Sequence, residues 1–298
     1  MRKFLQSGYI FLVFALLYAP IAVLIIFSFN EAGSLSEFTK FSFVWYQELF
    51  SDEAALTALQ NSLVLAVLSS IIATVIGTFA ALGLHHMRSK FVKGAVKSVT
   101  NIPMMNPDIV TGVSMALLFV AVMTSIKMLG VMITENAGNF MGLGTAVSEK
   151  ANNLMGFGTM LIAHTTFNLP YVLLSVMPRF NQLDRSLSEA AQDLGCTPSH
   201  AFFKVELPEI VPGIISGLML GFTMSLDDFV ISHFVSSPNF QTLPLYVYNQ
   251  TVHNVKFSMY ALCAIIVAAI LVVLLIVNFA GSVGVYKDKL KTVGGKTK

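Results

Sequence analysis

Charge is scarce in this sequence. Its 298 residues include 18 Lys or Arg and 16 Asp or Glu, 11% in all, with a net charge of +2. An ordinary soluble domain carries roughly 25% charged residues, so the shortage argues against a water-facing surface over most of the chain. The small net charge also excludes the basic footprint of a nucleic-acid binder. Cysteine is scarcer still, at two residues. Cys196 and Cys263 stand far apart with no metal-ligand spacing, which excludes a disulfide framework and a zinc site. There is a single Trp, Trp45.

What fills the chain is apolar, at 55%. Six stretches are long enough to cross about 30 Å of hydrocarbon as helices of about 20 residues. They lie at about 8–29, 62–84, 98–126, 155–177, 209–235 and 260–285. The first follows Met1-Arg2-Lys3 but is too long for a signal-peptide core, so it reads as an uncleaved span. Basic residues are distributed unevenly between the connections. Arg2 and Lys3, the 85–97 and 178–208 connections and the 286–298 tail hold fourteen; Lys40, Lys127, Lys150 and Lys256 are the other four. The positive-inside rule therefore expects both termini in the cytoplasm. The fold class is all-α: a polytopic membrane protein of six transmembrane helices forming a single domain over 1–298.

Between the fourth and fifth spans lies a segment rich in helix punctuation. Ser186-Leu187-Ser188-Glu189 reads as a capping box, in which the Ser hydroxyl and the Glu carboxylate each satisfy an exposed backbone donor. Ala190 and Ala191 extend a short helix, and Gly195 stands where a left-handed C-cap is wanted. Thr197-Pro198 reads as an N-cap followed by proline at the first helical position. A second short helix is expected to about Val205, with Leu207-Pro208 turning the chain into span five. The result would be a compact two-helix knob at the membrane surface.

Carboxylates inside the apolar stretches are the second signal. Asp108 follows Pro107 in span three, and Asp227 and Asp228 are adjacent in span five, with no Lys or Arg in any span. A carboxylate at a helix centre costs about 2.5–3.5 kcal/mol on insertion scales, which makes each a functional candidate. Local satisfaction of an Asp by Ser225 or Ser232 is the structural alternative. Uncompensated carboxylates suit a path for cations. Gly213, Gly217, Gly221 and Ser225 recur every fourth residue as a stripe for close helix approach. On one continuous helix Asp228 and Ser232 fall on that stripe, and Asp227 lies about 120° away. Pro103 and Pro107 are expected to interrupt span three and expose carbonyls beside Asp108. His164 reads as a hydrogen-bonded core residue, and Trp45 as either a cation-capping ring or an interfacial anchor. The tail Gly294-Gly295-Lys296-Thr297 lacks the first glycine, strand and helix of a phosphate-binding loop, so the chain has no nucleotide site of its own.

The spacing Glu189-Ala190-Ala191-x3-Gly195-x9-Val205-x-Leu207-Pro208 resembles the EAA motif of ATP-binding-cassette (ABC) importer permeases, with Val205 where isoleucine is usual. The resemblance implies that the loop at about 184–208 is a coupling helix docking into an ATPase, with Glu189, Ala190, Ala191, Gly195, Leu207 and Pro208 as its core. Further runs resemble the PotC-type permeases of spermidine/putrescine importers. They are Tyr18-Ala19-Pro20-Ile21, Asn106-Pro107-Asp108-Ile109-Val110, Ser225-Leu226-Asp227-Asp228-Phe229-Val230 and Leu243-Pro244-Leu245-x-Val247-Tyr248. This implies the type I (MetI-like) importer fold, a location in the bacterial inner membrane, and a polyamine substrate met by Asp108, Asp227, Asp228 and Trp45. It also implies three partners: two copies of a PotA-like ATPase, a PotB-like second permease and a PotD-like binding protein. No cofactor, metal site or catalytic residue is expected. The connection after span three, about 127–154, is longer than the family pattern. Permeases for thiamine or iron share the EAA segment. A secondary transporter coupling protons or sodium through the aspartates would leave that segment unexplained.

Overall fold

The computed structural model describes residues 2–34, 37–137, 156–237, 240–253, 256–268 and 271–272. Among these, the chain is helical, with isolated bridges in place of strands. Five helical stretches are long and apolar enough to cross a membrane: Gln6–Phe27, Glu53–His86, Asp108–Met132, Phe157–Gln182 and Pro198–Asp227. A shorter apolar helix covers Ser258–Ala268. The expected sixth span beyond it, most of the long 127–154 connection and the tail lie outside the described residues.

Packing divides the chain into two units, Met1–Leu56 with Asn249–Lys298, and Thr57–Tyr248. The first contains α1 (Arg2–Phe27) and α2 (Val44–Ser51). Between them the buried Asn30 side chain organises the link: its amide donates to the carbonyls of Ser34 and Glu37, and its Oδ1 accepts from the Thr39 amide. Trp45 closes this turn by donating its indole N–H to the Asn30 carbonyl (2.7 Å) and packing against Phe257. Gly33 sits at φ +59°, with the Trp45 ring 3.1 Å from where a Cβ would stand.

The second unit is built on α3 (Glu53–His86), α6 (Phe157–Gln182) and α9 (Leu207–Asp227). The glycine stripe makes this packing possible. Gly213, Gly217, Gly221 and Ser225 are the buried face of α9, together with Ile210. They meet Arg179, Ser175, Val172 and Asn168 of α6, and Ser175 Oγ donates to the Gly213 carbonyl at 3.0 Å. On α3, Gly77 lies so near Val172 that an added Cβ would be 2.7 Å from Cγ1. Gly77→Ala is expected to cost about 1–3 kcal/mol, because a β-branched neighbour cannot rotate away. Gly221→Ala should be near neutral, since its nearest neighbours stand at 3.6 Å. Thermal unfolding of the two variants in detergent checks the contrast; equal losses would show that these contacts do not set the helix spacing.

Two expected spans are each divided. Helix α4 (Lys90–Met105) ends at Asn106, whose ψ of 141° leaves the helical region, and α5 (Asp108–Ala137) starts just beyond Pro107. Proline displaces the residue before it from helical geometry, which explains the break at 106–107. Pro103, expected to interrupt as well, stays inside α4. Span five likewise is not continuous to 235. Asp228 takes ψ 119°, and a short α10 (Val230–Val235) follows. These breaks adjoin. Helix α10 packs on α5 where Gly112 meets Phe234, the Val230 carbonyl and Ile231.

Candidate functional site

The knob between α6 and α9 starts at α7 (Arg185–Asp193). Its cap is Asp184 rather than the expected Ser186, and the Asp184 carboxylate accepts from the Ser186 amide at 3.0 Å. Aspartate caps as well as serine and its charge favours the positive helix end, so the helix starts earlier. At the other end Gly195 has φ +91°; its N–H donates to the Gln192 carbonyl and that of Cys196 to the Ala191 carbonyl. This is a Schellman closure, and it needs a residue tolerant of positive φ. Thr197 caps α8 (Pro198–Ala201) with Pro198 in its first turn. From there the expected turn at Leu207-Pro208 does not occur. A π-turn, Phe202–Glu206, joins α8 to α9, so the helical path runs from Pro198 to Asp227. Pro208 lacks an N–H and its ring crowds the carbonyl four residues back; the wider turn relieves that crowding without ending the helix.

Leu187, Ala190 and Leu194 all face outward from the knob, with Leu194 88% exposed. Glu189 and Gly195 are also exposed, and nothing lies within 4 Å of a Cβ placed on Gly195. The knob thus presents a short apolar stripe and a smooth end. Asp184 is fully exposed, and the Ser186 amide hydrogen bond holds its carboxyl below the usual Asp range. A depressed folded value means the cap stabilises fully above the unfolded value of about 3.9 and weakens as pH falls through the lower folded value. Amide-exchange protection at the start of α7 is expected to fall on acidification below about pH 4. In Asp184→Ala that protection should be missing at neutral pH, and an unchanged exchange profile in the variant would exclude Asp184 as the cap.

The carboxylates sit at the two breaks. Asp108 is exposed in the first turn of α5, where the helix dipole favours a negative charge. It is therefore at a helix end and not at a helix centre. Asp227 ends α9 and is exposed. Asp228 is different. Its side chain is 8% exposed; Oδ2 accepts from the Ser232 amide at 2.8 Å and Oδ1 from the Ile231 amide at 3.3 Å. His164, 1% exposed, lies with Nε2 at 3.5 Å from Asp228 Oδ2 and 3.2 Å from Ser232 Oγ. Its Nδ1 reaches Ser225 Oγ at 2.7 Å, and Ser69 Oγ donates to Ser225 at 3.0 Å. Four helices are tied through this one chain of polar groups. Beyond the break stands an aromatic group: Phe229, His233 of α10 and Tyr248 of α11 (Leu243–His253) have ring centroids 4.6–5.9 Å apart. Neither the joining of Ser69 to His164 nor this group is legible in local spacing. Trp45 belongs to the Asn30 turn of the other unit.

Among the described residues no cluster of metal-ligating side chains occurs. Broken helices ending in carboxylates, beside a bundle of apolar spans, are features that membrane transport components share. The chain belongs to the binding-protein-dependent transport system inner membrane component family, whose profile matches residues 73–281. It is a multi-pass inner-membrane permease subunit of an ABC importer. It is 37% identical to the putrescine transport system permease protein PotI of Escherichia coli K12 over 258 residues, 86% of this chain and 83% of the relative. The spermidine/putrescine permease PotC of Haemophilus influenzae is 34% identical over 89% of this chain and 92% of its own. PotC of Escherichia coli K12 is 33% identical over 99% of both. A bacterial ABC transporter involved in import of the acidic polysaccharide alginate has the same fold, with a TM-score of 0.65 at 14% identity over 94% of this chain and 95% of that one.

Proposed function

We propose that this subunit forms half of a polyamine path and that ATP hydrolysis on a docked partner drives it through α7. The observation that carries the substrate reading is the apposition of the two helix breaks, each with an exposed carboxylate. Helices α9 and α10 hold no Lys or Arg, and the single one in α5, Lys127, stands about five turns from Asp108. A flexible polycation passing this point exchanges its water for Asp108 and Asp227 without meeting a fixed positive charge. Aromatic faces at Phe229 and Tyr248 suit alkylammonium groups. The similarity to putrescine and spermidine permeases supports the same reading. The fold alone does not, since it also serves an acidic polysaccharide importer.

The coupling role rests on the knob. Glu189, Ala190, Ala191 and Gly195 present a rigid, capped surface, and Leu207 and Pro208 continue it into α9. In this reading the knob faces the cytoplasm with both termini, and the partners are two PotA-like ATPases, a PotB-like permease and a PotD-like binding protein. The test is ATP-driven uptake of labelled putrescine and spermidine by the reconstituted complex. Failure to move either polyamine would reject the substrate. Gly195→Asp should lower ATP-driven uptake about tenfold or more while the subunit still inserts and folds, because the new side chain both strains φ +91° and protrudes into the docking face. Full uptake with the ATPase retained would reject the docking surface.

A further inference from the structure

Two hollows adjoin beneath α7. The larger, of about 550 Å³, takes Arg88, Lys90 and Lys93 from the start of α4 and its approach, and Asp184, Glu189 and Glu206 from the knob and the π-turn. The smaller, of about 380 Å³, is mixed, with Phe79, Leu82, Phe202 and Phe203 forming its apolar walls. They share His86, Ser188, Gln192 and Glu206, so a compartment bearing charges of both signs opens beside one with apolar walls. Their level relative to the spans is set by the helix ends. His86 ends α3, Leu183 follows α6, and Glu206 precedes α9. Phe79 and Leu82 lie about two turns and one turn back into the span. Phe202 and Phe203 lie within about a turn of Glu206 on the knob side, so the smaller hollow straddles the helix ends, one wall at acyl-chain depth and the other at headgroup depth, beside the charged hollow.

A ligand for this pair must carry an anion, a cation a few bonds away, and a hydrocarbon chain. We propose that the hollows hold an ethanolamine phospholipid. Its phosphate pairs with Arg88, Lys90 and Lys93, which suit phosphate oxygens as fork and point-charge donors. Its primary ammonium donates to Asp184 and Glu206, and one acyl chain passes between Phe79, Leu82, Phe202 and Phe203. A choline headgroup has no N–H to donate to those carboxylates, and a glycerol headgroup has no charge to offer them. The combined hollow is of the size that ordinarily holds a small-molecule ligand or headgroup, and basic pockets between membrane helices hold lipid heads in this way. Bound there, the lipid ties α7 to the α3–α4 connection across a gap that protein side chains leave open.

The assembled complex, stripped of lipid in mild detergent and offered phosphatidylethanolamine, phosphatidylglycerol and phosphatidylcholine in turn, tests this by native mass spectrometry. Phosphatidylethanolamine should be retained on this subunit at least tenfold more tightly than either other lipid. The Lys90→Gln, Lys93→Gln double variant should lose that retention, with Lys127→Gln as the basic control that keeps it. Glu206→Gln, a milder change, should weaken phosphatidylethanolamine alone and leave phosphatidylglycerol as it was. Equal retention of phosphatidylglycerol, retention unaffected in the double variant, or no lipid held at all would each overturn the proposal.

Discussion

Replacing His164 with leucine is expected to remove roughly 1–3 kcal/mol of stability, the usual cost of leaving buried hydrogen-bonding groups without their partner. The variant keeps the volume but leaves Ser225, Ser232 and the Asp228 carboxylate without their shared partner. His164→Gln should recover part of the loss, because an amide can both donate and accept. The unfolding midpoint of the purified subunit, followed with folded yield, reads the effect. A leucine variant as stable as the parent would mean that the polar chain from Ser69 to Asp228 is not what joins the helices.

The second large effect separates the adjacent aspartates. Asp227→Asn keeps shape and removes charge at an exposed position, so uptake should fall about tenfold or more while the unfolding midpoint stays. Asp228→Asn should act in the opposite order. Its amide oxygen can still accept a hydrogen bond at the start of α10, but the carboxylate that faces His164 Nε2 at 3.5 Å is lost, so stability falls first and uptake follows. Uptake and melting measured on both variants decide the matter. If Asp227→Asn transports normally, the path carboxylate has been misplaced, and if the two variants behave alike, the division of labour fails.

Much of the knob was legible because helix ends are decided locally. Gly195, Thr197 and Pro198 act through their own backbone geometry, and each sits as its chemistry requires. Asp184 was missed because two good capping residues stood two positions apart, and nothing in spacing ranks them. The glycine stripe was equally readable, since a four-residue repeat survives as long as the helix does. It ends at Asp228, a break without glycine or proline at the residue itself, so turning the wheel on to Asp228 and Ser232 used a helix that stops. Those two residues nonetheless meet the Ser225 side, through His164 rather than through helical phase. That meeting joins residues 61 and 68 positions apart and has no local signature. Trp45 is ambiguous in the sequence for the same reason: its hydrogen bond to the Asn30 carbonyl, which closes an asparagine-centred turn, spans 15 residues and has no local signature.

The π-turn at Phe202–Glu206 has a mechanical meaning. A wide turn accommodates one residue more than a regular one, so everything on its knob side is offset by about 100° from the phase that α9 alone would dictate. Torque applied at the knob therefore enters the spanning rod through a joint whose pitch differs from that of the rod. Deleting one residue there would let a regular turn replace the wide one and leave the knob on its side of the axis. Regularising the turn at full chain length would instead swing Thr197 and the knob beyond it by about 100° to another side of the axis, like a crank re-keyed on its shaft.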